Sequence, residues 1–484
     1  MKKLLYIICF MLIASTAWGA CDSVSSTLSA LNAAIAAASA GDNVCLQDGT
    51  YDDFSDYASP ITVTNTSGIS GSEITIRPES VGGVTFTGTF HLNIGTDGSD
   101  TSGKYVIVRH FKWNNIDIPS TTIKVIDVYA DNVRITNNSF SNIGGSGDSD
   151  GGTIIRPLSG ADDLEIDYNS FDTWERLYPV WSRGYRTHFH HNYLTNPTNN
   201  TGHGLEMGCD SCWSTDLAQI IEYNHFYQVN GSWTVISNKQ SSAIYSYNVF
   251  DRSEDFTLRG GEDNTVHGNF FLDCVGTSST IRVYDAGNLI YNNYITGAGS
   301  SVAGIEINGD GANPGFYAAA DNTSIINNTI RDGVSFGIAI GYCATSCTDP
   351  DTILLKNNYV EGSTGTLINR SNGTNITATT NLCNTFGTAT DDSGGTYCNT
   401  TETSTRLTLT DIYRLTSSAI PYGTADGNVT IDIDGQARAG NLDIGADEYD
   451  AGAVSITMAS IIAGAGFSEQ IEPPPVDYGK TKIF

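Results

Sequence analysis

The chain has 484 residues and a formal net charge of −29, from 24 Lys and Arg against 53 Asp and Glu. So acidic a protein repels nucleic acid and anionic membranes as general partners, and a polyanionic ligand has to meet a local basic groove. Beyond the leader described next, no segment reaches the ~20 apolar residues that a membrane-spanning helix needs.

The first residues, "MKKLLYIICFMLIASTAWGA" (1–20), join two lysines, an apolar run from Leu4 to Ile13 and small residues at Ala17, Gly19 and Ala20. That pattern reads as a secretory signal peptide, so the mature chain is expected to be secreted or periplasmic. Acylation of Cys21 is a second reading, disfavoured by Trp18 where a small aliphatic residue is usual. Next, "TLSALNAAIAAASAGD" sets Leu28, Leu31 and Ile35 on one helical face, which suits a cap over the N-terminal end of a solenoid.

A short pattern then recurs: "WNNI", "NNSF", "YNSF", "HNYL", "YNHF", "YNVF", "GNFF", "NNYI", "NNTI" and "NNYV". Its asparagines are Asn115, Asn138, Asn169, Asn192, Asn224, Asn248, Asn269, Asn293, Asn328 and Asn358, separated by 21 to 35 residues. A basic period in the low twenties with insertions marks a repeat array whose units are too short to bury a core alone. The units show β-branched alternation and lack amphipathic helices, so the expected fold is all-β: a right-handed single-stranded parallel β-helix with an N-terminal capping helix. Asn suits a recurring turn because it tolerates left-handed backbone and its amide can bond the same residue one rung away. A β-propeller would want a period of ~40 residues or more. One catalytic domain is expected over 21–450, with "GNLDIGADEYD" (440–450) as its closing strand and 451–484 as a tail ending in the extended "EPPPVDYGKTKIF".

Losing Cys9 with the leader leaves nine cysteines, whose spacing suggests the pairs Cys21–Cys45, Cys209–Cys212, Cys343–Cys347 and Cys383–Cys398, with Cys274 left over. Cys209-x-x-Cys212 has no second partner pair, so a loop staple is a better reading than zinc.

Against the asparagine ruler, Lys239 lies nine residues before Asn248, Arg259 ten before Asn269 and Arg282 eleven before Asn293. Three cations at similar offsets on consecutive rungs could converge on one sugar unit, whereas a lone strand cation would read as a solvated surface residue. "RGYRTHFHHN" adds Arg183, Arg186, His188, His190 and His191, and "TGHGLEMG" adds His203 and Glu206. For His190 and His191 a ladder or core role is favoured, and a metal site there is a weak signal.

The ordered set "HFHHNYL", "HGLEMG", "ISNKQ", "FTLRGGEDNTVHGNFF" and "IRVYDAGNLIYNNYI", together with "AGDNVCLQDGTY" and "GSEITIRPESVGGVTFTG", resembles polysaccharide lyase family 6, which contains alginate lyases and chondroitinase B. The resemblance covers roughly residues 30 to 300. It implies β-elimination on a uronic-acid polymer, most readily alginate, with Lys239 as the base and Arg259 as the catalytic arginine. Removal of H5 needs the C6 carboxylate neutralised, a base near C5, and charge stabilisation or a proton at the leaving O4. A guanidinium keeps its proton, so Arg259 would stabilise the leaving oxygen while water protonates it. The substrate-binding set is then Arg282, Arg186, Arg183, His203, Glu206 and Tyr284.

Calcium-dependent members of the family carry an acidic pair in GExEIISNK, where "GSWTVISNK" has Ser232 and Thr234, and an asparagine ligand upstream becomes His203. Ca²⁺ wants several oxygens, carboxylates among them. No cofactor is therefore expected, and Arg282, Arg186 or His203 would neutralise the substrate carboxylate. The family's Arg-His-Gly is "RGG" here, with Gly260 in place of histidine. A dermatan-type lyase or a uronate epimerase would use nearly the same residues. A non-catalytic glycan-binding β-helix would merely grip the anion, and a polygalacturonase-like glycosidase would need carboxylates clustered on one face.

Overall fold

The computed structural model describes residues 19–467, except 54–59, 97–101, 119–123, 145–151, 199–202, 231–233, 297–302, 310–316, 332–334, 342–347, 386–389, 393–396, 403–422, 439–441, 449–453 and positions 176, 277, 363 and 455. The signal-peptide core, Ser232, Cys343, Cys347 and the extended end of the tail lie outside these residues. Along the chain, every third strand pairs in parallel with the one three places on, which builds sheets of 14, 13 and 14 strands. This is the right-handed parallel β-helix that the short repeat implies. Val, Ile, Leu and Phe alternate into the interior, and equivalent phenylalanines stack rung on rung, Phe226 on Phe250 at 4.8 Å and Phe250 on Phe271 at 4.5 Å between ring centroids.

Helix Leu28–Ala37 closes the N-terminal end, burying Leu31 and Ile35. The Thr27 hydroxyl accepts from the Ala30 N–H and so satisfies one of the free donors of its first turn. The disulfides Cys21–Cys45, Cys209–Cys212 and Cys383–Cys398 are formed, and Cys274 is a buried free thiol.

The ladder differs from its sequence reading in three respects. Asn115 is not a member: the pairing Ser139↔Lys112 sets Phe111 opposite Asn138, while Asn115 lies further along the strand Lys112–Ile116. The ladder instead begins at Asn138 and runs past Asn358 to Asn381 and Asn399. As far as Asn381, the left-handed residue is the one before the asparagine: Asn137, Tyr168, His191, Tyr223, Tyr247, Asn292, Asn327 and Asn357 have φ between 51° and 56°. From Asn138 to Asn381 the ladder asparagines themselves are buried acceptors and donors. Asn248, for example, donates through Nδ2 to Ile221 O at 2.9 Å and to Asn269 Oδ1 at 3.0 Å.

The expected closing strand is also absent. Residues 442–448 form no strand and do not extend the sheets at the C-terminal end. They lie along the side of the β-helix, because the outward amides of the left-handed asparagines offer donors there. Asn327 Nδ2 donates to Asp443 O at 3.3 Å and to Gly445 O at 3.2 Å, while Arg438 Nη2 donates to Asn292 Oδ1 at 3.0 Å. Helix Met458–Gly464, inside the expected tail, continues this strap and buries Ile461 in an outer cluster with Tyr247, Phe270 and Tyr294.

Replacing Asn248 by Ala strands buried groups on two neighbouring rungs, and each unsatisfied group costs about 1–3 kcal/mol. Urea titration should show a loss of ~2–4 kcal/mol for Asn248→Ala, against less than ~0.5 kcal/mol for the exposed Glu262→Ala.

Candidate functional site

The 13-stranded sheet carries the candidate site on its outer face, on the consecutive strands Leu177–Ser182, Leu205–Gly208, Ile236–Lys239, Phe256–Gly260 and Ile281–Val283. Alternation sends Ile236, Phe256 and Ile281 into the core and turns Lys239, Glu206 and Arg282 outward. Parallel register then sets Trp181 beside Glu206, Glu206 beside Ser237, and Gly208 beside Lys239.

Lys239, Arg259 and Arg282 do lie on three successive rungs, as the ruler predicts, but not in one column. Lys239 pairs with Gly260, a bulge accommodates Arg259 between Leu258 and Gly260, and Arg282 pairs with Thr257. Counting back from the asparagine includes turn residues whose number varies, so it locates the rung and misses the column.

Lys239 Nζ donates to Glu206 Oε1 at 3.1 Å and meets Asp210 Oδ1 at 2.7 Å. The two carboxylates differ in setting: the Glu206 side chain is 6% exposed and that of Asp210 is 72% exposed. Burial raises the pKa of Glu206 and outweighs the opposing pull of Lys239. Asp210 sits on the turn closed by Cys209–Cys212, directly after the strand that supplies Glu206.

His203 is buried beside this pair. Its Nδ1 bonds Thr234 Oγ1 at 2.7 Å, Arg259 Nη1 lies 3.4 Å from its Nε2, and its ring stacks on Tyr178. Burial, then the charges of Arg259, Lys239 and Arg282, push its pKa well below the ordinary histidine value. The ring is therefore neutral, Nδ1–H donating to Thr234 and Nε2 accepting from Arg259, and its 3.8 Å approach to Glu206 is not an ion pair.

Arg259 makes no ion pair among the described residues; its guanidinium lies between His203 and the Tyr317 ring, 6.0 Å from the ring centroid. Arg282 is by contrast tied to Asp255, Nη2 to Oδ2 at 2.8 Å and Nε to Oδ2 at 3.1 Å. Tyr284 stacks on Tyr317 at 4.8 Å and its hydroxyl is held above the ordinary pKa by burial. Arg183 stacks on Trp181, with Cζ 4.2 Å from the ring centroid.

Arg186 does not join this group. It occupies an exposed left-handed turn and forks onto Asp163 at 2.7 and 2.9 Å, because that turn leads away from the 13-stranded sheet toward the strand His188–His190. Sequence reasoning missed Asp210, Trp181, Trp213 and Tyr317. The Cys209-x-x-Cys212 staple beside "HGLEMG" is the one signal that could have found Asp210. Trp213 explains Gly260: a Cβ there would lie 3.2 Å from its indole Cγ, so the ring fills the space a larger residue would need.

Of the family's calcium positions, the two described ones, Thr234 and His203, do not suit a calcium ion. Thr234 has its hydroxyl engaged by His203, and His203 faces a guanidinium, whereas Ca²⁺ prefers carboxylate and carbonyl oxygens. Glu165, Asp167 and His190 bring three donor atoms within 4.8 Å of one another on a different sheet, but Arg134 already forks onto both Asp167 oxygens.

A family model described as Chondroitinase B matches residues 24–346. Among solved structures, the chain is similar to the polysaccharide lyase family 6 alginate lyase AlyGC, at 23% identity and a TM-score of 0.63, covering 75% of this chain and 51% of that one. It is also similar to a mannuronic acid specific family 6 lyase from human gut microbiota, at 19% identity, TM-score 0.59 and coverage of 75% and 86%. A third likeness is a family 6 alginate lyase in complex with a trisaccharide, at 16% identity, TM-score 0.58 and coverage of 79% and 87%. This chain thus spans about half the length of AlyGC. No curated protein matches it.

In a pH titration followed by NMR, the His203 ring resonances should stay in the neutral form from pH 8 down to 5. A midpoint near 6.5 would contradict the environment described.

Proposed function

Because this chain belongs to the chondroitinase B family of polysaccharide lyases, we propose that it cleaves a uronic-acid polymer, alginate foremost, by β-elimination. The observation that carries this reading is Arg259, an arginine without an ion pair among the described residues, one rung from a lysine whose partner Glu206 is a buried carboxylate of raised proton affinity. The likeness to alginate lyases supports the choice of polymer.

In this reading the substrate carboxylate displaces water and lies against Arg259, in place of the Arg282, Arg186 or His203 that the sequence suggested, since Arg259 has no carboxylate to give up first among the described residues. Neutral His203, pinned by Thr234, holds the guanidinium in place and adds no positive charge that would oppose it. Lys239 must be an amine to act as a base. Glu206 Oε1, 3.1 Å away, and Asp210 Oδ1, 2.7 Å away, are the acceptors within reach of its proton. The Lys239 amine then removes H5, and the electron pair spreads into the C6 carboxylate beside Arg259. As the C4–C5 double bond forms, the C4–O4 bond breaks and water protonates O4. Arg282, tied to Asp255, lines the groove one rung on and does not carry the neutralisation.

No step in this scheme needs calcium, and we take the reaction to be calcium-independent. We also take the chain to be secreted, in keeping with its disulfides.

The test is to incubate the protein with poly-mannuronate, poly-guluronate, alginate and dermatan sulfate, with and without chelator, following the absorbance of the unsaturated uronate. Absorbance should rise on alginate and persist with chelator. Lys239→Ala should lower the rate by ~10²–10⁴-fold, and Arg259→Ala by ~10²–10³-fold. Arg259→Lys should rescue little, since an ammonium cannot reproduce the planar fork. Silence on every uronate polymer would refute the lyase, and loss of activity with chelator would refute its independence of calcium.

A further inference from the structure

Arg183 follows Ser182, which pairs with Met207, and so falls in line with Gly208, which pairs with Lys239. Along this column the outer face carries a guanidinium, then no side chain, then an ammonium. The gap is enforced, because a Cβ on Gly208, at φ +93°, would lie 2.3 Å from Lys239 O. Two rungs separate the cations, about 10 Å at the ~4.8 Å spacing of paired strands.

Arg183 is built to face a ligand. Among the described residues it forms no ion pair, and its Nε is buried without a hydrogen-bond partner, in a chain of net charge −29. The Arg183 guanidinium lies over the Trp181 ring, and the indole is itself fixed because Nε1–H donates to Gly208 O at 3.0 Å. A planar fork held in this way suits a carboxylate, which it can bind through two parallel N–H bonds.

We propose that Arg183, positioned by Trp181, forms a second uronate subsite two rungs N-terminal of Lys239, binding the carboxylate of a sugar beyond the scissile unit. The proposal rests on the polyuronate reading above. It makes Arg183 a determinant of how long a chain must be to bind well, with no part in the chemical step.

Size-defined oligouronates from trimer to hexamer separate this from a structural role. Arg183→Ala should raise KM about tenfold on the longest oligomer and leave kcat within about twofold. The effect should fade toward the shortest cleaved oligomer, and Arg183→Lys should recover only part of it. Trp181→Phe, which keeps an aromatic face and loses the bond to Gly208, should fall between wild type and Arg183→Ala. A KM change equal at all lengths, or none, would overturn the subsite. The backbone bond from Arg183 N to Pro157 O survives these changes at Arg183, so the fold is retained. If the wild type cleaves no uronate polymer, the lyase reading fails by itself, and calorimetric titration with the same oligomers decides the subsite. Tenfold weaker binding by Arg183→Ala then supports it, and equal affinity refutes it.

Discussion

From Asn169 to Asn381, each ladder asparagine gives its side-chain carbonyl to the backbone N–H and the side-chain amide of the asparagine one rung before it, as Asn169 does to Asn138 at 3.0 and 3.1 Å. With its own amide bonded to carbonyls of the same and the preceding rung, a polar residue can sit fully buried at a corner. This contact forces equivalent residues of successive turns into register, and the sheets inherit that register. Everything on the outer face, including which cation lies beside which carboxylate, depends on it.

The register also explains how so acidic a chain can present a local positive site. Most cations on the outer faces are spent on nearby carboxylates: Arg156 on Asp127, Arg282 on Asp255, Arg331 on Glu361 and Arg134 on Asp167. Among the described residues Arg259 and Arg183 are not, and they flank Lys239, one rung after it and two before it. The field that an anionic chain meets is set by which cations lack a partner, and net charge says little about it. The buried neutral ring of His203 adds to this by taking up space beside Arg259 without a charge of its own.

The C-terminal strap shows the same corner used for another purpose. On most rungs a left-handed residue before the ladder asparagine points its side chain outward. Where that residue is Tyr or His the rings stack, as His191 does on Tyr168 and Tyr223, and on the later rungs, where it is Asn, Asn292, Asn327 and Asn357 capture the strap. The change along the sequence from aromatic to Asn at this one position was visible in "YNVF" and "NNYI". Its meaning was not, because the strap residues lie more than a hundred positions away from Asn292 and Asn327.

The repeat determined the β-helix and the rungs that carry Lys239, Arg259 and Arg282, because a short period with a polar residue that must be buried admits few structures, and the apolar face of Leu28, Leu31 and Ile35 determined the capping helix. The replacement of acidic residues by Ser232 and Thr234 was equally legible. Only the tertiary structure decided the column each side chain occupies, since a single bulge at Arg259 shifts the alignment and no spacing records it. It alone removed Arg186 to another turn, delivered Asp210 to Lys239 and paired Arg282 with Asp255. Those contacts depend on where a turn points and on which opposite charge reaches a cation first, and residues far apart in sequence settle both.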